Sequence, residues 1–273
     1  MNSKSQDQLR VGLIGHGAIA RYVAEHLAGE AQVALVGAVC RHGREEAARS
    51  ALPLVGTVVS EASALSAEAP GLVLDCAGHA ALREHGPALL KAGIDVATVS
   101  IGALSDPATV DMLTQAAQAG SAQLELVPGA AGGLDLIAAA KHGGLDGVTY
   151  AGRKPPGGWK GTPAEEMLDL DNMTEAAEHF RGTAREAAAR YPKNANVAAA
   201  VALAGIGMDE TEVVLVADPA MDKNRHEISA SGAFGSFSIT IDGLTLPGSP
   251  RTSALAAMSL VRAVSRRLSP IVA

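Results

Sequence analysis

The chain has 273 residues, 48% of them hydrophobic and only 3% aromatic, with a formal net charge of −7. That length supports two domains and a sizeable core, built from Ala, Val and Leu more than from rings. The negative balance argues against a general nucleic-acid surface. With no apolar run of membrane-spanning length and a polar leading segment, MNSKSQDQLR, a soluble cytoplasmic protein with no membrane partner is expected. The only cysteines, Cys40 and Cys76, form no C-x-x-C pair. No histidine or cysteine pair has metal-ligand spacing, so no metal is expected and both thiols are read as buried and free.

In chain order, the first half alternates strand and helix. Apolar runs predict strands at Leu9–Ile14, Val33–Cys40, Leu72–Cys76, Asp95–Thr98 and Gln123–Leu126. Helical patterns fit Ala18–Ala28, Arg44–Ser50, Ala80–Ala92 and Pro107–Ala119. Strands without polar alternation are covered on both faces, as in a parallel sheet. The fold class is therefore α/β, with an N-terminal Rossmann-type doubly wound parallel sheet. Its first turn reads VGLIGHGAIA, a G-x-G-x-x-A pattern of Gly15, Gly17 and Ala20 between strand and helix. Gly15 permits the tight turn, Gly17 lets a pyrophosphate approach the backbone, and Ala20 lets the helix pack on the strand. The helix start at Ala18 and Ile19 offers N–H groups to phosphates. The same pattern also suits a glycine turn that binds nothing.

The character changes after Pro128. The small-residue joint PGAAGG (Pro128–Gly133) leads into a helix at Leu134–His142, a strand at Val148–Arg153 and the loop KPPGGWKGTP. Helices follow at Ala184–Arg190 and Val197–Ala204, then strands at Glu212–Ala217, His226–Ser231 and Gly235–Ile241. The alternation in these strands predicts an antiparallel sheet with one wet face, in a smaller α+β domain. A last helix over Thr252–Leu268 is expected to pack back on the first domain. Residues 1–128 and 246–273 are thus read as the dinucleotide-binding domain, and 129–245 as the substrate, catalytic and dimerisation domain. By analogy with two-domain dehydrogenases, the cleft between domains would hold the substrate.

At the end of the second strand, where NAD-only enzymes carry an acid for the ribose hydroxyl, the chain has Arg41, with His42 and Arg44 close by. A guanidinium suits a 2′-phosphate or stacks on adenine, so either NAD or NADP is admitted. A solvated basic turn is the plainer alternative. Cys76, Ala77 and Gly78 stand at the end of the strand Leu72–Cys76, and their small size would let a nicotinamide ribose pass. His79 beside them suits a ligand contact or a solvated helix start equally. Ala130, in the joint, suits a backbone contact to a flat ring or an ordinary hinge. Asn194 or Asn196 could cap the next helix or bind a carboxamide. His226, on a second-domain strand, is the histidine placed to shuttle protons. The other seven are read on helices, turns or their ends. Arg153, Lys154 and Lys160 near the Pro/Gly loop, and Thr252 and Ser253 at the head of the last helix, are candidates for substrate carboxylates.

Over nearly its full length the chain resembles the L-aspartate dehydrogenase family. The resemblance is carried by VGLIGHGAIA (Val11–Ala20), LVLDCAGHAALREHG (Leu72–Gly86), SIGAL (Ser100–Leu104), PGAAGGLD (Pro128–Asp135), RKPPGGW (Arg153–Trp159), YPKNANVAAAVALAG (Tyr191–Gly205), TEVVLVADP (Thr211–Pro219), NRHEISASGAFG (Asn224–Gly235) and PRTSALAA (Pro250–Ala257). The family often has Gly where this chain has Ala20. The resemblance implies conversion of L-aspartate, water and NAD(P)⁺ to oxaloacetate, ammonia and NAD(P)H through iminosuccinate, a step that could feed pyridine nucleotide biosynthesis. It also implies His226 as the catalytic histidine, Ala130 and Asn196 as nucleotide contacts, and a homodimer. Competing readings are a homoserine- or dihydrodipicolinate-type enzyme of the same layout, and a non-catalytic NAD(P)-binding sensor.

Overall fold

The structure is a computed structural model that describes residues 8–192 and 195–272. It divides into two compact units, Met1–Val127 with Ala256–Ala273, and Pro128–Leu255. Residues 246–255, expected with the first unit, partition with the second.

The first unit runs β1 (Leu9–Ile14), α1 (Ala18–Leu27), β2 (Val33–Val39), α2 (Glu45–Ala51), β3 (Thr57–Val59), α3 (Ala62–Ala67), β4 (Leu72–Asp75), α4 (His79–Lys91), β5 (Asp95–Thr98), α5 (Pro107–Gly120) and β6 (Leu124–Leu126). The sheet order is β3-β2-β1-β4-β5-β6, and every pair is parallel. That is the doubly wound order, which reverses between β1 and β4 and opens a crevice at the carboxyl ends of those strands. All the strands and helices expected here form, within two residues at each end. β3 and α3 were not expected, because three and six residues are too short for periodicity to register.

Helix α1 forms because its apolar residues recur at helical spacing. Ala20, Val23, Ala24 and Leu27 are buried on one stripe. They share a core cluster with Val11 and Leu13 of β1 and with Leu260, Ala263 and Val264 of the C-terminal helix, Ala254–Leu268. Each Val or Leu side chain among them contributes about 1.5–3 kcal/mol on removal from water, and each Ala less. Arg267 fastens the returning helix by reaching Glu125 at 2.6 Å and Asp95 at 3.4 Å.

The second unit contains α6 (Leu134–Lys141), β7 (Leu145–Lys154), β8 (Ala177–Thr183), α7 (Ala184–Arg190), α8 (Ala195–Ala204), β9 (Glu212–Ala217), β10 (Asn224–Gly232), β11 (Gly235–Gly243), β12 (Thr245–Leu246) and β13 (Ser249–Ser253). Its main sheet has the order β11-β10-β7-β9-β8. The sheet is mixed, not purely antiparallel as expected, because β7 and β9 run parallel. Val213 to Ala217 of β9 are all buried, the mark of a strand covered on both faces. The expected wet face survives on β7 and β10, where Val148, Tyr150 and Gly152, and His226, Ile228 and Ala230, are buried in alternation. Helices α6 and α8 cover that buried face, since a Cβ on Gly205 would meet both Ile137 and Val148. α7 begins with a capping box in which the Thr183 hydroxyl accepts from the Glu186 N–H and the Glu186 carboxylate accepts from the Thr183 N–H.

Thr252 and Ser253 do not open the last helix but end β13, and the helix starts at Ala254. His179 does not lie on a helix or turn but on β8, so His226 is not the sole histidine on a strand of the second unit.

Candidate active site

In the first unit, a cavity of about 510 Å³ opens at the carboxyl ends of β1, β2 and β4. Gly15, Gly17, Arg41, Cys76, Ala77 and Gly78, six of the residues expected to hold a nucleotide, line it together. Ala18 and Ile19 follow directly as the first residues of α1. Gly15 has φ +91°, and a Cβ there would stand 2.6 Å from the Cβ of Ala77. The turn therefore requires glycine for its conformation and for the close approach of the two loops. A Cβ on Gly17 would meet nothing within 4 Å. That open space beside the N-terminus of α1 fits a pyrophosphate against backbone N–H groups. His79 opens α4 and, with the buried His85, joins the lining.

The loop after β4 is held by a residue the sequence reading missed. Asp75 is fully buried. Its carboxylate accepts from the Thr98 hydroxyl at 2.7 Å and from the N–H groups of Ala77 and Gly78 at 3.1 and 3.4 Å. A carboxylate ending the apolar run LVLD was the available signal, because a buried charge must be paired or hydrogen-bonded. Burial pushes the Cys76 and Cys40 thiols up, so both remain protonated. At the mouth, His16 is held below its ordinary value by burial and then by the charges of Arg44, Arg41 and Arg21. The end of β2 is thus a cationic corner, with Cys40 where an acid would otherwise stand.

In the second unit, His226 is 6% exposed and stands opposite Gly152 in the β10–β7 register. Its Nδ1 lies 2.8 Å from the Tyr150 hydroxyl. Burial, followed by the nearby charge of Lys154, lowers its pKa to about 4. Lys154 alternates with Tyr150 and Gly152 along β7 and so belongs to the same face. Its ammonium stands 4.9 Å over the Trp159 ring, and burial lowers its pKa to about 8. Arg153 and Lys160, also considered for carboxylates, are instead engaged by Asp218 at 3.0 Å and Asp171 at 2.5 Å.

Ala130 lies in the turn before α6. In that turn a Cβ on Gly132 would come 3.4 Å from Ile241, the residue paired with His226 across β10 and β11. The segment therefore packs on the cross-strand neighbour of the histidine. Asn196 is in the first turn of α8. Asn194, its alternative as a cap, lies outside the described residues. The chain enters that turn from Tyr191, whose ring meets Trp159 at 6.1 Å. Thr252 pairs its hydroxyl with Ser249 at 2.8 Å, and the Ser253 hydroxyl is buried with no hydrogen-bond partner. His179 is 2% exposed and lies against the rings of Trp159 and Tyr191. Its Nδ1 meets the Tyr191 hydroxyl at 3.1 Å, and its Nε2 is buried without a partner. It is a core residue, not a second candidate base. Among the described residues no cluster could hold a metal ion, and no helix is long and apolar enough to cross a membrane.

A family model described as aspartate dehydrogenase, C-terminal, matches residues 135–267, and one described as homoserine dehydrogenase, NAD binding domain, matches residues 15–126. The chain is 54% identical over 261 residues to the L-aspartate dehydrogenase of Ruegeria pomeroyi, covering 96% of this chain and 93% of that one. The chain belongs to the L-aspartate dehydrogenase family. Relatives with the same description in Cupriavidus necator and Pseudomonas aeruginosa are 48% and 45% identical, covering 95% and 96% of this chain and 97% and 99% of theirs. Among solved structures, the aspartate dehydrogenase of Thermotoga maritima matches with a TM-score of 0.73 at 24% identity, covering 97% of this chain and 99% of that one. A hyperthermophilic archaeal homoserine dehydrogenase in complex with NADPH matches at 0.61 and 13% identity, covering 97% and 100%. At these identities the two structures establish the fold: a Rossmann-type unit joined to a unit built on a mixed sheet.

Proposed function

We propose that this chain is an NAD(P)-dependent oxidoreductase that deaminates L-aspartate to oxaloacetate and ammonia through iminosuccinate, and catalyses the reverse amination. The observation that carries this reading is His226, a buried imidazole beside the cation Lys154 on the helix-covered face of the second unit. The family membership supplies the substrate. The family's C-terminal match favours aspartate over the homoserine reading, which rests on the nucleotide-binding part alone.

When bound, the nicotinamide supplies the acceptor for the hydride that leaves the aspartate Cα. Its phosphates are assigned to Gly15, Gly17, Ala18 and Ile19, its ribose to Cys76, Ala77 and Gly78, and a 2′-phosphate to Arg41. Ala130 and Asn196 are assigned as further nucleotide contacts. His226 takes a proton from the substrate ammonium, which frees the nitrogen lone pair for imine formation. After releasing that proton to solvent, the same ring takes a proton from the water that attacks the imine carbon and passes it to nitrogen; it then accepts the hydroxyl proton of the carbinolamine as the C=O bond forms, the C–N bond breaks and ammonia leaves. Burial, followed by the charge of Lys154, lowers its pKa to about 4, so the imidazole is neutral at neutral pH and has its lone pair free. Lys154, near 8, is still largely charged at neutral pH and is assigned to a substrate carboxylate. Ser253, with its unpartnered hydroxyl, is the second candidate for that role and Thr252 the weaker third. A cytoplasmic homodimer serving pyridine nucleotide synthesis is the reading that the family resemblance supports.

The test is oxidation of NADH and of NADPH with oxaloacetate and ammonia, in wild type and His226→Ala. We expect ammonia-dependent turnover that falls by about 10²-fold or more in the variant, the usual scale of lost acid–base catalysis, with nucleotide affinity retained. Near-normal kcat in the variant would remove His226 from the mechanism. No turnover by wild type in protein shown to bind a nucleotide would overturn the aspartate reading.

A further inference from the structure

Tyr150 and His226 are not directly opposite each other in the sheet. The register pairs Ile228 with Tyr150 and His226 with Gly152, so the tyrosine stands two residues along β7 from the position facing the histidine. Its ring reaches His226 by lying over Gly152. A Cβ at Gly152 would be 2.8 Å from the Tyr150 hydroxyl and 3.3 Å from Cζ. Three positions are therefore matched: a glycine that leaves the channel open, a phenol that fills it, and an imidazole at its end. The two rings are tilted by 21° with centroids 6.0 Å apart, and the hydroxyl–Nδ1 distance is 2.8 Å.

We propose that Tyr150 is a positioning residue for the aspartate reaction: its hydroxyl oxygen accepts a hydrogen bond from Nδ1–H of His226, fixing the ring and leaving the lone pair on Nε2. This rests on the reading of His226 as the base. A neutral imidazole carries one proton, and the nitrogen that hydrogen-bonds its partner determines where that proton stays. With Nδ1–H directed at Tyr150, a proton can arrive and leave at Nε2 while the orienting bond persists in both charge states. Tyr150 is buried and its own titration is pushed upward by that burial, so it stays a neutral phenol. A carboxylate in its place would favour the charged imidazolium, whereas a phenol orients the ring without a charge to hold it protonated. Gly152 has a role too: it keeps the path between phenol and imidazole clear.

The experiment combines ¹⁵N NMR of the histidine ring nitrogens, with His226→Ala used to assign the His226 signals, and steady-state kinetics of Tyr150→Phe and Gly152→Ala. In wild type we expect Nε2 of His226 to be pyridine-like and Nδ1 pyrrole-like. In Tyr150→Phe the two environments should average toward each other. The aspartate kcat should fall about tenfold, the equivalent of one hydrogen bond, while the nucleotide KM is unchanged. Gly152→Ala, which displaces the phenol without deleting it, should move the same signals in the same direction and thus gives a second route if Tyr150→Phe folds poorly. A pyrrole-like Nε2 in wild type, or variants with wild-type ring signals and wild-type kcat, would overturn the proposal. Loss of the catalytic reading is distinguishable, because it shows as an active His226→Ala whatever the tautomer.

Discussion

Lys154 shows how one side chain acquires a role from its place in a strand. Lys154, Arg153 and Lys160 are all cations in or beside one Pro/Gly-rich loop, and composition alone cannot rank them. The strand period of two puts Lys154 on the His226 face, whereas Arg153 falls on the opposite face of β7 and Lys160 lies beyond the strand, paired with Asp171. A charged hydrogen bond to substrate is worth about 1.5–3 kcal/mol, or roughly 10- to 100-fold. Lys154→Met should therefore raise the KM for aspartate by about that factor and leave the nucleotide KM unchanged. In wild type, kcat/KM should decline as pH rises through about 8, where the ammonium loses its proton. The variant should lack that decline, and steady-state kinetics over about pH 6–9 read both effects. The glycine turn was legible in advance because its residues are consecutive. Tyr150 was not, because its partner is 76 residues away and only the sheet register joins them.

Two strands of the second unit each enclose a histidine, β8 with His179 and β10 with His226. For both, burial comes first among the causes that bring the pKa from 6.5 to about 4. The unfolded chain therefore binds more protons than the folded one between those values, and stability must rise with pH across that window. Acidification from about pH 6.5 to about pH 4 should remove up to about 3 kcal/mol per histidine, at 1.36 kcal/mol per pKa unit. Denaturant unfolding at a series of pH values checks this, and His179→Phe should lessen the slope whatever it does to absolute stability. An unchanged slope in that variant would mean that β8 opens to water before the rest of the unit unfolds. β8 also shows why one strand escaped the sequence reading. Its pairing with β9 slips between Glu178 and Phe180, so two consecutive residues, His179 and Phe180, are both buried. That irregularity breaks the alternation by which strands are recognised. The all-parallel first unit, whose strands are continuous apolar runs, was legible apart from the short β3 and α3, because the slip between Val11 and Gly12 in the β1–β2 pairing leaves the apolar run of β1 unbroken.

Nucleotide preference is decided at the scale of the whole molecule, where two electrostatic effects oppose each other. The net charge of −7 repels a nucleotide, and NADP more than NAD because of its additional phosphate. Against this, the end of β2 gathers Arg41, Arg44 and Arg21 around His16 and carries no acid at Cys40. Distance decides between them. At physiological salt the screening length is about 8 Å, so dispersed surface charge is largely screened while a guanidinium in contact with a phosphate is not. The local corner should win, and the chain should accept NADPH at least as well as NADH. Arg41→Ala should then weaken NADPH about 10- to 100-fold, the loss of one charge-assisted contact, and leave NADH nearly unchanged. Titration calorimetry with both nucleotides measures the two constants. If Arg41 instead stacks on adenine, which both nucleotides share, the variant will lose affinity for both equally, and the 2′-phosphate assignment falls while the nucleotide site itself stands.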